Sequence, residues 1–518
     1  MMFLLMSIFF FMYRCLSLNT EIKILQLNHY QTSRQIDYLM KRKYFTIDKW
    51  IRMIIHVPFA LLILVHNNVV DLFILMLIVY IYVGYKFLQS QKHGTNLKIT
   101  RRIERLYLVL FILYTFLLYL GMQSEYFIIW SLILMSINKE MVFLANIFIT
   151  PLEKGIQKYY IEQAKKILRN NSQLLKVGIV GSYGKTSTKN ILYHLLKENY
   201  LCLKSQNSYN NMMGNTITIR KELKRLHDLF ICEMGSDHVG EIERLMKFIE
   251  PQYVIITSIG NQHLNTFHTQ ENIIYEKTSP LLFLRKEDTA FLNIDNAYIQ
   301  ENLHKGVCKK ITFGENEKAD FHIKDIEYHE QGSSFSIVYH GNTTTFHTSL
   351  LGYYNIMNIA GGICVAHTLE VPMSILQRLV ASITPIEHRL QSIAKGHYTL
   401  IDNAYNSNVK SFKNSLQILE KIQKYTILVT PGLIDLKNDA EENEKLMEDI
   451  PGKCDEVIIV GYLNRDALVK GLKKQKFSNY KCLDTMEEAL VYLEKKAFYD
   501  FVALIENDID KTWMNMKN

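Results

Sequence analysis

The run Lys176-Val-Gly-Ile-Val-Gly-Ser-Tyr-Gly-Lys-Thr-Ser-Thr-Lys189 concentrates the clearest chemistry in this chain. An apolar stretch reading as a buried strand leads into Gly-x-x-Gly-Lys-Thr, and a helical pattern follows from about Thr186 to Leu196. Gly181 and Gly184 leave room for backbone N–H groups to close on phosphate oxygens. The helix that follows turns its positive end toward the same anion. In such a bend Lys185 reaches the β- and γ-phosphates and Thr186 offers its hydroxyl to Mg²⁺. Gly181, Ser182, Tyr183, Gly184, Lys185, Thr186 and Ser187 are therefore the expected ATP-binding segment. The plain alternative, a glycine turn before an ordinary helix, explains fewer of these positions. The widespread form of the loop has a further glycine where this chain has Ile179.

Two more side chains fit this chemistry. Glu233 closes an apolar run in Ile-Cys-Glu-Met-Gly, at the strand end where α/β proteins place their sites. With Thr186 it is expected to hold Mg²⁺, an ion that prefers carboxylate, hydroxyl and water oxygens. His263 follows the next strand and is a candidate ligand for a second metal, against the ordinary alternative of a structural histidine. The seven cysteines are scattered without a Cys-x-x-Cys pair. Neither a zinc site nor a disulfide framework is indicated, which fits a reducing compartment.

Positioning these groups requires an α/β scaffold. Strand-like runs at 177–180, 229–232, 253–259 and 290–294 are separated, early on, by helical patterns. That alternation argues a parallel sheet with helices on both faces. Residues 321–350 read as short antiparallel strands forming a small sheet of their own. After Pro385 a second α/β pattern begins, with strands expected at 398–401, 426–429, 456–460 and 501–505.

The first 150 residues differ in character. The chain has 518 residues, too many for one core, and its 48% hydrophobic content is gathered toward this end. Segments 53–66, 69–88, 106–122 and 126–148 are expected membrane spans, and 3–13 a shorter embedded or interfacial helix. The loops at 14–52 and 86–105 are rich in Lys and Arg, whereas those at 66–70 and 121–125 have neither. By the positive-inside rule both basic loops, and the chain after the last span, face the cytoplasm, where ATP is found. Lys139 and Glu140 interrupt the last apolar segment. A span ending near Ile137, followed by an interfacial helix, is favoured over a charge at mid-bilayer. The net charge of +8 flanks apolar segments rather than forming a patch, so no nucleic-acid partner is indicated. The expected organisation is a transmembrane helical region over 1–150 and a linker helix over 151–175. A central ATP-binding domain over 176–385 and a C-terminal Rossmann-like α/β domain over 386–518 follow.

The shortened loop, with Thr-Ser-Thr-Lys after the lysine, resembles the ATP loop of the Mur ligases. Glu233-Met-Gly235, Gly240-Glu-Ile242, Pro251, Ile259-Gly-x-x-His263 and Glu276-Lys277 follow the central-domain order of that family. Leu292-Asn-Ile-Asp295, Thr312-Phe-Gly314 and Gly352-x-x-Asn355-x-x-Asn358 continue it. His388-Arg-Leu390, Asp402-x-x-Tyr-Asn-x-Asn408, Thr430-Pro-Gly432 and Glu506-Asn-Asp508 look like the MurF branch. The resemblance runs from about residue 176 to 510.

What the resemblance implies is an ATP-dependent amide ligase working through an acyl phosphate on a peptidoglycan precursor. Lys185, His263, Lys277 and Arg389 are implied as catalytic. In the family the lysine matching Lys277 carries a carbamate, which with His263 would hold a second Mg²⁺. Asn355 and Asn358 are implied to lie toward the adenine, Arg389 to meet the phosphates, and Asn403 to join the ATP side. Tyr405, Asn406 and Asn408 are implied to face the incoming amine or the ribose side of the cleft. The implied partners are a muramoyl-peptide acceptor, UDP-linked or lipid-linked, and an amino acid or dipeptide, D-alanyl-D-alanine in the MurF branch.

The chain also departs from the family. Soluble MurF enzymes carry a domain that grips the UDP end, whereas here the linker runs almost directly into the loop strand. Either the acceptor is lipid-linked and presented at the inner leaflet, or another protein or the loops at 14–52 and 86–105 supply the missing contacts. With the loop charges, the expectation is a multi-pass protein of a bacterial cell membrane, with the lipid bilayer as partner and the catalytic domains cytoplasmic. Asn403 replaces a second aspartate, and Tyr354 stands where a histidine is common. Competing expectations are a poly-γ-glutamyl-type ligase and an inactive membrane scaffold. Retention of Lys185, Thr186, Glu233, His263 and Lys277 weighs against the scaffold.

Overall fold

The computed structural model describes residues 18–19, 21–26, 30, 35–36, 97, 99–123, 130, 134, 137–260, 262, 264–385, 388–404, 409–433, 439–496 and 500–507. The chain divides into two units, Met1–Tyr160 and Ile161–Asn518.

In the first unit, α1 (Arg101–Met122) begins where the Thr100 hydroxyl accepts from the Ile103 N–H, with Glu104 in the first turn. Ile103, Leu106, Leu110, Tyr114 and Leu118 recur every three or four residues. They share a core with Met141, Val142, Ala145 and Ile149 of α2 (Asn138–Arg169). Arg105 and Glu153 pair at 2.7 Å beside that core. The other face of α1 is apolar too, with Leu108, Ile112, Phe116 and Tyr119 exposed. Over Arg101–Gly121 it is long and apolar enough to cross a membrane, the one such helix among the described residues. The expected spans 53–66 and 69–88 and the shorter segment 3–13 lie outside the described residues, as does part of 126–148. Lys139 and Glu140 fall in the first turn of α2, where an acidic side chain suits the helix dipole. The helix continues through Pro151, so the charged run expected as a linker is the second half of one 32-residue helix.

The second unit holds two sheets. The first contains β1 (Leu175–Val180), β2 (Cys202–Lys204), β3 (Leu229–Glu233), β4 (Tyr253–Ile256), β5 (Thr289–Asn293), β6 (Lys309–Gly314), β7 (Phe321–His329), β8 (Gly332–Tyr339) and β9 (Asn342–Thr348). Their spatial order is β2-β3-β1-β4-β5-β6-β7-β8-β9. Pairing is parallel from β2 through β7 and antiparallel across β7, β8 and β9. Residues 321–350 therefore extend the main sheet and do not form a small separate one. The Asp320 carboxylate accepts from the Thr312 N–H at 2.7 Å, which folds the short link back and sets Phe321 beside Phe313.

Both faces of this sheet are covered, so alternate strand residues enter two cores. Val177, Ile179, Leu229 and Ile231 pack with α3 (Lys185–Leu196), α7 (Tyr353–Thr368) and α8 (Met373–Ala381). Val180, Phe230, Cys232 and Val254 pack on the opposite face, with Ile219 of α4 (Met212–Glu222), α5 (Glu241–Ile249) and Ile273 of α6 (Gln270–Thr278). Because β1 sits between β3 and β4, the chain leaves it toward one side of the sheet and later returns on the other. That topology opens a crevice at the strand ends.

The second sheet contains β10 (Gln391–Lys395), β11 (Tyr398–Asn403), β12 (Tyr425–Thr430), β13 (Glu456–Val460), β14 (Tyr480–Leu483) and β15 (Phe501–Glu506). Its order is β10-β11-β15-β12-β13-β14, with β10 antiparallel and the rest parallel. Helices α9 (Val409–Lys421), α10 (Asp439–Leu446) and α11 (Arg465–Lys474) cover one face, and α12 (Met486–Lys495) the other.

One buried carboxylate ties α5 to α6. Glu276 accepts from the Gly240 and Ile242 N–H groups, both at 2.7 Å, filling the orphan donors at the start of α5. Glu276→Ala would strand both donors. It should lower unfolding stability by about 2–4 kcal/mol, seen as a reduced melting temperature.

Candidate active site

The site is assembled at the C-terminal ends of β3, β1 and β4. After Val180 the chain enters the bend at Gly181, whose φ of +153° and tight surroundings suit glycine. A Cβ there would lie 2.1 Å from the Thr257 hydroxyl oxygen. That hydroxyl donates to the Tyr183 carbonyl at 2.6 Å, and the Ser182 N–H donates to the Ser258 carbonyl at 2.7 Å. The two contacts explain why β4 stops at Ile256, short of the expected 259: the next residues leave the sheet to brace the bend. Gly184, at φ +83°, caps α3. The Asn358 Oδ1 sits 2.5 Å from where a Gly184 Cβ would stand, and it accepts from the Thr188 hydroxyl at 3.0 Å.

Within the bend the Lys185 ammonium donates to the Gly181 and Ser182 carbonyls at 2.8 and 2.9 Å. Burial pushes its pKa down, and the Glu233 charge opposes that shift. Thr186 Oγ1 donates to the two Glu233 oxygens at 3.1 and 3.0 Å. Glu233 ends β3 and is only 1% exposed. A hydroxyl and a buried carboxylate in contact, beside N–H groups at a helix start, make an oxygen set that suits Mg²⁺ bound with a polyphosphate.

Lys277 lies nearby on α6 and is 2% exposed. Its ammonium donates to the Ser236 hydroxyl at 2.8 Å and to the Ser236 carbonyl at 3.1 Å. Burial first, and then the Lys185 charge, bring its pKa down to about 7 against the pull of Glu276, Asp237 and Glu241. Asp237, His238 and Glu241 bring ligand-type atoms within 4.8 Å of one another. The Glu241 carboxylate is engaged, however, by the Asp237 and His238 N–H groups at 2.9 and 3.2 Å.

From the bend a cleft of about 360 Å³ runs along α3. Ser187, Ile191, Asn355, Leu350, Pro385 and Arg389 line it. Its size and mixed lining suit a nucleoside. Arg389 Nη1 reaches the Ser187 hydroxyl at 3.5 Å, and Asn355 Nδ2 donates to the Leu351 carbonyl at 2.9 Å. Arg389 is flanked by His388 and Leu390, both in the left-handed region at φ +60° and +51°. His388 Nδ1 meets the buried Asp402 carboxylate at 2.9 Å.

The structure thus gathers Gly181, Ser182, Tyr183, Gly184, Lys185, Thr186, Ser187 and Glu233 at the bend, with Lys277 close by, and places Asn355 and Arg389 on the cleft that begins at Ser187. Asn358 is placed differently from the expectation, beneath the bend rather than along the cleft wall. Asn403 is engaged in the second sheet, donating to Glu506 at 2.7 Å and to Ser415 at 3.2 Å. His263, Tyr405, Asn406 and Asn408 lie outside the described residues. Sequence reasoning missed Lys189, Asn210, Ser236 and the His388–Asp402 pair. Lys189 pairs with Glu233 at 3.1 Å, and Asn210 Nδ2 donates to the same carboxylate at 3.4 Å. A signal for Lys189 was present: it stands three residues after Thr186, on the same helix face.

Comparison with known proteins fits this geometry. Residues 179–366 match the Mur ligase middle domain. Over 316 residues the chain is 28% identical to the UDP-N-acetylmuramoyl-tripeptide–D-alanyl-D-alanine ligase of Buchnera aphidicola subsp. Baizongia pistaciae, covering 60% of this chain and 68% of that one. Over 312 residues it is 26% identical to the ligase of the same name from Bacillus subtilis, covering 59% and 67%. The chain thus spans about two thirds of the length of these relatives. In fold it is similar to MurF from Acinetobacter baumannii, with TM-score 0.60 at 22% identity over 70% of this chain and 79% of that one. It is also similar to MurF from Thermotoga maritima in complex with ADP, with TM-score 0.59 at 23% identity over 68% and 80%. A P-loop α/β sheet followed along the chain by a second α/β sheet is the arrangement that defines the class. Over residues 179–366 the chain carries the Mur ligase middle domain, and in its matched length it is MurF-like.

Gly181→Ala tests the bend. Forcing an alanine into that conformation costs about 1–3 kcal/mol, so ADP binding measured by calorimetry should weaken roughly 5- to 100-fold.

Proposed function

We propose that this protein is an ATP-dependent carboxylate–amine ligase that extends a peptidoglycan precursor, with D-alanyl-D-alanine or a related amine as the incoming group. The observation that carries the reading is the meeting of Thr186 and Glu233 beneath a Gly-Lys-Thr bend at the helix start. Similarity to relatives named for this ligation supports the substrate class.

The acceptor carboxylate attacks the γ-phosphorus of ATP, giving an acyl phosphate and ADP. The amine then adds to the acyl carbon, and the tetrahedral intermediate expels phosphate. Positioning and charge neutralisation supply most of the catalysis in such transfers. The bend's N–H groups and Lys185 hold the phosphates, and Arg389 adds a second cation from the cleft. Mg²⁺ held by Thr186 and Glu233 would neutralise charge between the β- and γ-phosphates. Asn355 and the cleft take the nucleoside, whereas Asn358 acts indirectly by fixing Gly184 and Thr188. Tyr405, Asn406 and Asn408 are assigned to the incoming amine, with Asn403 holding the strand end from which they follow.

His263 and Lys277 are assigned to a second Mg²⁺ near the acceptor. A bare ammonium would repel that ion, so Lys277 serves as a carbamate. Its Nζ lone pair takes up CO₂, an N–C bond forms and a proton leaves. Burial and a pKa of about 7 favour this, because the neutral amine is the reactive form.

The reading extends to the membrane. The apolar α1 and the basic loops support a multi-pass anchor with the catalytic unit in the cytoplasm, where a lipid-linked acceptor would be presented at the inner leaflet.

Lys185→Ala should lower acceptor- and amine-dependent ADP release by about 10²–10³-fold, and unchanged turnover would refute its phosphate role. Lys277→Ala should abolish ligation and be partly rescued by short-chain carboxylates. In CO₂-depleted buffer the wild type should lose activity and regain it with bicarbonate. Because the ammonium deprotonates above about pH 7, the regain should grow as pH rises through that value. For the anchor, protease added to sealed inside-out vesicles should remove the catalytic unit, and right-side-out vesicles should protect it. The opposite pattern would reverse the topology.

A further inference from the structure

We propose that Lys189 is a positioning residue that acts through the Glu233 carboxylate, and that by pairing with it Lys189 sets how tightly a divalent cation binds there. The inference rests on the ligase reading above. Lys189 is 1% exposed, and its ammonium lies 3.1 Å from Glu233 Oε2. The same ammonium donates to the Asn207 carbonyl, in the loop between β2 and α4. Thr186 and Lys189 stand one turn apart on α3, so one helix face delivers both a hydroxyl and a cation to a single carboxylate.

The rest of the surroundings hold Glu233 in place without touching its charge balance. The Ser205 hydroxyl accepts from the Glu233 N–H at 3.0 Å, and Asn215 Nδ2 donates to the Glu233 carbonyl at 3.0 Å. Asn210 adds a neutral amide to the carboxylate. Among the described residues Lys189 is the charged group in direct contact, and Lys185 lies within electrostatic reach. The Lys189 ammonium and the Thr186 hydroxyl thus meet the same buried carboxylate from one helix.

The same pairing has a cost for metal binding. A resident cation weakens the negative potential that a divalent ion meets, so the site binds its metal more loosely than an unpaired carboxylate would. That suits a turnover in which the metal arrives and leaves with the nucleotide.

Mn²⁺, followed by electron paramagnetic resonance with ADP present, reads this directly on detergent-solubilised full-length protein. Lys189→Met and Lys189→Gln should each bind Mn²⁺ about tenfold more tightly while kcat falls, because the ammonium no longer competes with the ion for the Glu233 carboxylate. Lys189→Arg should keep the wild-type Mn²⁺ affinity and recover most of kcat. In a Glu233→Gln background, removing Lys189 should leave Mn²⁺ affinity unchanged. Lys189→Gln keeps a polar group for the Asn207 carbonyl, so it carries the test should Lys189→Met fail to fold. Weaker or unaltered Mn²⁺ binding in a folded neutral variant overturns the inference, as does a shift that persists with Glu233→Gln. A wild-type protein that binds neither ADP nor Mn²⁺ would instead overturn the ligase reading itself.

Discussion

The site depends on one charge placed where water does not reach. β3 ends in Glu233, and a carboxylate inside a close-packed interior must be met by donors. Parallel pairing of β1 with β3 sets Ile179 opposite Glu233, so the bend after Val180 starts beside that charge. The helix must then begin at once, and Gly184 permits it by taking a left-handed turn. Thr186 and Lys189 project onto the carboxylate from the first two turns, while Asn358 of α7 props the bend from below. Core packing and site chemistry are therefore one arrangement: the sheet register that buries Ile179 and Ile231 also aligns the phosphate bend with its carboxylate.

The second sheet contributes at a distance through the residues that precede it. Arg389 reaches the wall of the cleft because the backbone on either side of it adopts left-handed conformations, which throw the guanidinium toward Ser187. His388 holds that turn by its bond to Asp402, at the end of β11. Two buried lysines, Lys189 and Lys277, and the half-buried Lys185 stand around the bend. Lys189 has a full ionic partner, whereas Lys185 and Lys277 bond to carbonyls and a hydroxyl, and their pKa values fall. The crevice is built to receive negative charge.

Much of this was legible in the residues, and the gaps have physical causes. The strands around the bend carry unbroken apolar runs, so β1, β3, β4 and β5 stood out. β2, with three residues, and the edge strand β14 are too short and too polar for a periodic signal. Residues 321–350 showed their antiparallel alternation, but their junction to β6 rests on a side-chain bond from Asp320, which no local pattern announces. Glu233 was readable because strand ends host sites. Lys189 was not singled out, since a lysine on a helix is usually solvated and its burial follows from the loop at 207–211 closing over it. Ser236 and Asp402 matter through partners 41 and 14 residues away in sequence, a separation that only the folded chain resolves.

The order of strands in the second sheet governs how that layer comes into being. β15, formed by residues 501–506, lies between β11 and β12 and pairs with both along nearly its full length. Until those six residues leave the ribosome, β10 and β11 on one flank have no bonded neighbour in β12, β13 and β14 on the other. The nine-stranded layer can close during synthesis, whereas its companion stays in two halves until residues 501–506 have emerged. Anything that stalls translation before that insertion would leave a formed phosphate bend beside an unassembled second layer.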